Sequence, residues 1–406
     1  MSMPAAYRRL WWANAVDSVG DGAFAAAVPL LAVTITHDAR LVSIVSAAAS
    51  LPWLLVSLPV GALVDRHDRV TLMWQSQALQ TVVVAIIAVL AALGRAGILD
   101  LAVLAFLLGI GEVVFGNAAQ TVLPELVPKP MLHKANGQQY AIQTAGQLFV
   151  GPPVGSLLFG VAVGLPFGID AASFAISAAL LATLPHARRE RVAHPRLRTS
   201  IAEGLRYLTG SPLLRTLAIL LGVNNFCGQF GMSTLVLYAT QTLHVTTRGY
   251  GLLLIGMAIG AVLGGLVNAP IVARIGERAA LVSALVGLAA VALATGLAPD
   301  AVALSAFLGV SGFLVTLWNI VTVSLRQELV PTELLGRVNS VYRMLGWGFM
   351  PLGAIAGGFI AHWLGLRAPY IVASGIRMAA LLVAVPIVLA ALRTVREPQD
   401  VVGRPA

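Results

Sequence analysis

Lysine is nearly missing from this chain of 406 residues: only Lys129 and Lys134 among 26 basic positions are lysine. Cysteine occurs once, as Cys227, so a disulfide within the chain is excluded and redox compartment cannot be read from it. Charged residues make up 11% of the sequence, about half the share usual in soluble proteins. There is no Walker lysine loop, no cluster with metal-ligand spacing and no nucleophile elbow. Nucleotide hydrolysis, a bound metal, a cofactor and enzymatic chemistry are therefore not expected.

What is present in excess is hydrophobic sequence, 58% of the chain. Apolar runs recur at about 10–35, 41–64, 70–93, 98–121, 137–161, 165–185, 212–238, 249–272, 279–298, 300–324, 338–363 and 368–392. Each is long enough to cross a hydrocarbon layer of roughly 30 Å as a helix. Their continuity argues against a barrel, whose strands alternate over about 10 residues. The expected fold class is an all-α polytopic membrane protein of twelve spans. Arg8 and Arg9 before an apolar run imitate a secretory leader, but the run is too long for one and reads as the first span.

Orientation follows from the basic residues in short loops. With the N-terminus inside, 21 Lys and Arg residues fall on inner segments and four, Arg40, Arg95, Arg248 and Arg367, on outer ones. Both termini are thus expected in the cytoplasm. The net charge of +9 is spread over loops that face anionic lipid headgroups, so a nucleic-acid partner is not expected.

The chain repeats itself at an offset of 203 residues. Glu125-Leu126-Val127-Pro128 with Leu132, Lys134 and Asn136 returns as Glu328-Leu329-Val330-Pro331 with Leu335, Arg337 and Asn339. Gly61-Ala62-Leu63-Val64-Asp65 returns as Gly264-Gly265-Leu266-Val267-Asn268. Six spans per repeat give two halves of the same topology. The expected organisation is a six-helix half over 1–185, a basic linker over 186–211 and a second half over 212–406.

The segment Gly61-Ala62-Leu63-Val64-Asp65-Arg66-His67-Asp68-Arg69 resembles the signature loop of the major facilitator superfamily, with Asp68 in place of its second glycine. Gly151-Pro152-Pro153-Val154-Gly155-Ser156 in span five is similar to that superfamily's antiporter element, with Ser156 replacing the last glycine. Val19-Gly20-Asp21, Leu123 to Pro128, Ile169 to Phe174 and Leu335 to Ser340 resemble the drug-exporter branch that includes macrolide and siderophore efflux proteins. The resemblance implies two six-helix bundles, pseudo-symmetric, rocking about a central cavity lined by spans one, four, seven and ten. With no sign of ATP hydrolysis, an ion or substrate gradient would drive transport.

Carboxylates inside a span cost about 2.5–3.5 kcal/mol on insertion scales, so those present invite a role. Asp17, Asp21, Glu112 and Asp170 are such acids. Asn14, Asp17 and Asp21, spaced by three and four, share one helical side, expected to look into the cavity. Asp21, Glu112 and Asp17 are the candidate proton-coupling residues; Asp170, in span six, reads as structural. Arg377 in span twelve reads as a structural partner or a snorkelling residue.

Gly61, Asp65, Arg66, Arg69, Glu125 and Arg337 form a candidate inner gate. In it, Asp65 faces the N-terminal end of span eleven and Arg69 pairs with Glu125 or Asp65. Candidate cavity residues are Asn224, Asn225, Gln229, Gln143, Gln147, Trp318 and Asn319; sparse polar groups in an apolar cavity suit an amphipathic ligand. Helix-to-helix hydrogen bonding is the competing role for these amides. The repeat is uneven here: Asp21 is matched by Asn224, Asp65 by Asn268 and Glu112 by Val315.

The expected activity is proton-coupled efflux of a small amphipathic compound, such as a drug, secondary metabolite or siderophore, by a monomer in the bacterial cytoplasmic membrane. The expected partners are that substrate, protons and membrane lipids. Alternatives are an uptake symporter for a small nutrient and a lysolipid flippase on the same scaffold. A membrane sensor is the reading from another class, but the tail after Leu392 is too short for an output domain.

Overall fold

A computed structural model describes residues 3–128, 131–185 and 197–396, within which all regular structure is helical. The first half contains α1 (Ala5–Ile35), α2 (Ala39–Leu55), α3 (Ser57–Arg66), α4 (Arg69–Ala92), α5 (Ile98–Leu126), α6 (Leu132–Thr144), α7 (Gly151–Phe159) and α8 (Leu165–Ala182). After α9 (Leu197–Gly210) come α10 (Pro212–Met232), α11 (Leu235–Leu237), α12 (Thr247–Gly296), α13 (Ala301–Leu329), α14 (Thr332–Gly348), α15 (Met350–Leu364) and α16 (Ala368–Arg396).

Helix falls on every expected span, but several spans are broken or fused. Span two is α2 and α3, interrupted at Val56 after Pro52, whose ring removes a donor from the helix. Spans five and seven contain π-helical turns, Ala145–Val150 and Tyr238–Thr242. Spans eight and nine run together as α12, bent at Gly276, whose φ of 79° is open to glycine at no steric cost. Side-chain caps start the helices where the chain turns: Asp38 Oδ1 accepts from the Arg40 amide at 2.9 Å, Asp68 Oδ1 from the Thr71 amide at 2.7 Å and Asp300 Oδ1 from the Ala303 amide at 2.8 Å.

The repeat extends to the helix packing. Both ends of α5 and α13 differ by 203 residues, and α8 and α16 begin 203 apart. The pairs α1 with α7, α1 with α8, α2 with α5 and α4 with α8 in the first half recur as α10 with α15, α10 with α16, α12 with α13 and α12 with α16. In lipid the hydrophobic effect gives helices no reason to associate, so close contact between small residues must do it. The α1–α7 contact is of that kind. A Cβ on Gly22 would fall 2.9 Å from the Gly151 Cα, and one on Gly155 would fall 2.6 Å from the Ala23 Cα.

The outer surface is as apolar as the interior. Val82, Leu99, Val302, Leu382 and Val383 are between 57% and 79% exposed. Among the described residues, eight helical stretches, α12 with its two spans among them, are long and apolar enough to cross a membrane. An apolar face of this extent has no counterpart on soluble proteins and suits lipid.

The first residues of α1 lie at the same end as the last of α8, with Arg9 Nη1 donating to the Thr183 carbonyl at 2.8 Å. Call this the terminal end and its opposite the far end. The halves meet at the far end. His362 Nδ1 lies 3.4 Å from Asp38 Oδ1, and Gln241 Nε2 lies 3.1 Å from His37 Nδ1. From there α2 and α15 run antiparallel: a Cβ on Gly358 would fall 2.6 Å from the Ser43 Cβ, and further along α2 the Trp53 ring meets that of Trp347 on α14, 4.2 Å apart and edge to face.

The polar segment from 186 was expected to be a linker. Its first part, through 196, lies outside the described residues, while 197–210 is helix rather than loop. Leu197, Ile201, Leu205 and Leu208 recur at helical spacing, and Leu208 is buried. Tyr207 Oη donates to the Leu329 carbonyl at 2.8 Å, which ties α9 to α13.

Candidate functional site

Asp21 and Gln147 come together between helices of the first half, and a second acid, Glu112, stands on α5. Asp21 on α1 is partly open, and its Oδ2 accepts from Gln147 Nε2 at 3.1 Å. Gln147 lies on the π-helical turn Ala145–Val150, where the wider coil turns an amide outward that a regular helix would hold elsewhere. Glu112 on α5 is exposed at the surface of the chain. Among the described residues, neither acid is paired with a basic side chain. Two carboxylates at mid-span without a fixed counter-charge are suited to taking up and releasing protons.

Asn14 and Asp17 do not share this outlook. Asn14 is 5% exposed and donates to Gln139 Oε1 at 2.8 Å, while Asp17 is 6% exposed with Oδ2 accepting from Gln77 Nε2 at 3.1 Å. Their spacing places them on one side of α1, but there Gln139 of α6 meets Asn14 and Gln77 of α4 meets Asp17, while Asp21 is partly open. Asp170 is fully buried, with Ser173 Oγ 3.3 Å from its Oδ1.

The second-half candidates divide in the same way. Asn225 Nδ2 donates to the Gly346 carbonyl at 2.8 Å and ties α10 to α14, which is the structural role rather than a cavity role. Trp318 is 2% exposed within the core of α10, α12 and α13, so it does not line an opening. Asn224 is partly buried, and its carbonyl accepts from Arg377 Nη2 at 3.3 Å. Asn319 is exposed, one turn from Val315, the repeat mate of Glu112; Gln143 and Gln229 are partly exposed. Arg377 does not snorkel: its guanidinium donates to the Leu288 and Asn224 carbonyls of α12 and α10.

At the terminal end, Arg69 at the start of α4 pairs with Glu125 at the end of α5, as one of the two expected pairings has it. Arg337 pairs with Glu203 on α9, a partner the span pattern did not suggest. Each of these pairs joins elements on one side of the molecule. The side chains of Asp65 and Arg66, and the surroundings of Gly61, lie outside what is described, although all three sit on α3. Gly151, Pro152 and Gly155 begin α7 and form its contact with α1.

An apolar groove of about 830 Å³ lies between α12 and α13, lined by Leu252, Ile259, Leu263, Val302 and Val310 among others. None of the acids reaches it. The sequence signal missed altogether is at the far end, where Asp38 and His362 join the halves.

Comparison with known proteins places this geometry. The multidrug efflux pump Tap of Mycolicibacterium fortuitum is 29% identical over 372 residues, 87% of this chain and 89% of that one. Macrolide efflux protein A of Streptococcus pyogenes is 24% identical over 368 residues, 88% of this chain and 90% of that one. Among solved structures, a bacterial homologue of the iron transporter ferroportin in its inward-facing state has a TM-score of 0.76 at 15% identity, covering 96% of this chain and 99% of its own. The nucleoside transporter NupG has a TM-score of 0.75 at 14% identity, covering 94% and 99%. At such identities the likeness is one of fold. The sequence pattern of the transmembrane secretion effector family matches residues 3–402, and the chain belongs to that family of major facilitator superfamily membrane transporters.

Proposed function

We propose that this transporter exports a small amphipathic compound, such as a drug, secondary metabolite or siderophore, in exchange for protons, from the cytoplasmic membrane of a bacterium. The observation that carries the proposal is that Asp21 and Glu112 stand at mid-span, open and without a basic partner among the described residues. Relatives named as efflux pumps over most of the chain support the direction of transport. The excess of basic residues in alternate loops supports cytoplasmic termini.

In this mechanism the far-end contacts close one mouth while substrate enters from the terminal end. Separation of Asp38 from His362, and of α2 from α15, opens the opposite mouth. Protons arriving from outside neutralise Asp21 and Glu112, and their release to the cytoplasm returns the carrier. Asn319 and Gln229 offer the few hydrogen bonds that orient an otherwise apolar ligand.

The test is substrate accumulation in everted vesicles carrying the full chain, using a panel of fluorescent drugs and dyes. A protonophore should abolish accumulation, and Asp21→Asn should retain substrate binding while losing pH-driven transport. Accumulation that survives complete dissipation of the proton gradient would overturn the exchange.

A further inference from the structure

Asp17 and Asp170 take no part in the mechanism above, and they occupy the same region behind α1. Asp17 on α1 and Asp170 on α8 are 6% and 0% exposed. Gln77 on α4, 1% exposed, approaches Asp17 through its amide nitrogen at 3.1 Å. Gly20, one turn along α1 from Asp17, lies directly on Asp170: a Cβ there would fall 2.4 Å from Asp170 Oδ1 and 2.1 Å from Ser173 Oγ.

The unmet bonding capacity around it is of one kind. Asp17 Oδ1, Asp170 Oδ2 and Gln77 Oε1 are buried oxygens without a partner, and so is Ser177 Oγ, one turn beyond Ser173 on α8. Among the described residues no basic side chain is paired with either carboxylate. Buried oxygens in such a setting cost free energy until something positive meets them. Protons on the carboxylates would leave the Gln77 oxygen as it is. A metal cation binds several at once.

The donors select the cation. All are hard oxygens, and no group of three or more His, Cys, Asp and Glu exists among the described residues, which removes the usual transition-metal sets. Calcium takes six to eight oxygens and magnesium keeps several waters. A site so enclosed, with two carboxylates, one amide and serine hydroxyls, offers about four or five ligands and suits a smaller demand. We propose that Asp17, Gln77 and Asp170, with a serine hydroxyl of α8, bind one sodium ion inside the first half, clamping α1 to α4 and α8. This goes beyond the export reading and does not depend on it.

The test uses the purified full-length chain in nanodiscs, with thermal unfolding followed as sodium chloride replaces choline chloride at fixed pH and ionic strength, and with direct binding of radioactive sodium. Sodium should raise the unfolding midpoint by several degrees where potassium does not. Asp170→Asn and Gln77→Leu should each weaken sodium binding ten-fold or more, while Arg377→Met in the other half should leave it unchanged. If Asp170→Asn does not fold, Gln77→Leu and the wild-type chain still decide the matter. No sodium-selective response in the wild type would overturn the site, and so would a response to pH alone or one obtained with calcium at lower concentration than sodium. Neither readout involves transport, so failure here is distinct from failure of proton exchange.

Discussion

Asp38 of the first half and His362 of the second face each other across the far-end seam, with 3.4 Å between Oδ1 and Nδ1. Asp38 begins α2, where hydrogen bonds from the Arg40 guanidinium hold its carboxyl down to about 2, below the usual carboxylate range. It therefore stays charged at any pH above about 3 and offers His362 a fixed acceptor. Spin labels on α2 and α15 should report a closed far end less favoured in His362→Ala by up to about five-fold, the equivalent of roughly 1 kcal/mol for a partly exposed pair. Unchanged label distances in the variant would mean that the contact does not hold this mouth closed.

Trp53 of α2 and Trp347 of α14 carry the seam further along, at 4.2 Å between ring centroids. Such aromatic pairs contribute about 0.5–1.5 kcal/mol beyond the area they bury. Trp347→Ala should shift the carrier several-fold toward separation of α2 from α14, seen as greater labelling of cysteines introduced along the seam. Equal labelling would mean that the rings are bystanders.

The α1–α7 contact has no room for growth. Gly155→Val places a branched side chain where even a Cβ lies 2.2 Å from the Ala23 carbonyl oxygen. The expected cost is about 1–3 kcal/mol or more, with reduced yield of folded protein and a lower unfolding midpoint. A normal midpoint would show that α7 can slide on α1.

Arg377 calls for the opposite forecast. Its partners are carbonyls of Leu288 and Asn224, both inside helices and already bonded to their own amides. Arg377→Met should then change stability by under about 1 kcal/mol, since nothing is stranded when the guanidinium leaves. A loss of several kcal/mol, measured by chemical unfolding in detergent, would reveal a counter-charge that the backbone contacts do not supply.

The spans, their number of helical runs and their repetition were legible because length, hydropathy and the 203-residue offset are properties of one dimension. The offset even carries the helix ends of α5 and α13. Asp21 and Glu112 could be chosen by depth and Gln147 by its spacing from Gln143, but the contact of Gln147 with Asp21 was not legible, because the sequence holds no signal for the π-helical turn that presents Gln147. Asn225 and Trp318 show the limit most clearly. Spacing says which residues share a side of a helix, whereas only packing says whether that side meets a neighbour, and Gly346 and the core of the second half settle it there. The polarity of 197–210 hid α9 for a similar reason: an amphipathic helix lying across others has a mean composition close to that of a loop.

The uneven repeat also has an electrical consequence. Buried or mid-span carboxylates occur at Asp17, Asp21, Glu112 and Asp170, all on one side of the pseudo-symmetry, while Arg377 stands on the other. Across a membrane each unit charge carried through the whole field is worth about 2.3 kcal/mol per 100 mV. When two halves of like shape but unlike charge rock against each other, they carry different amounts of charge through that field. On the exchange proposed above, the membrane voltage would act on the two halves with unequal force and bias which mouth is open before a proton or a substrate is bound.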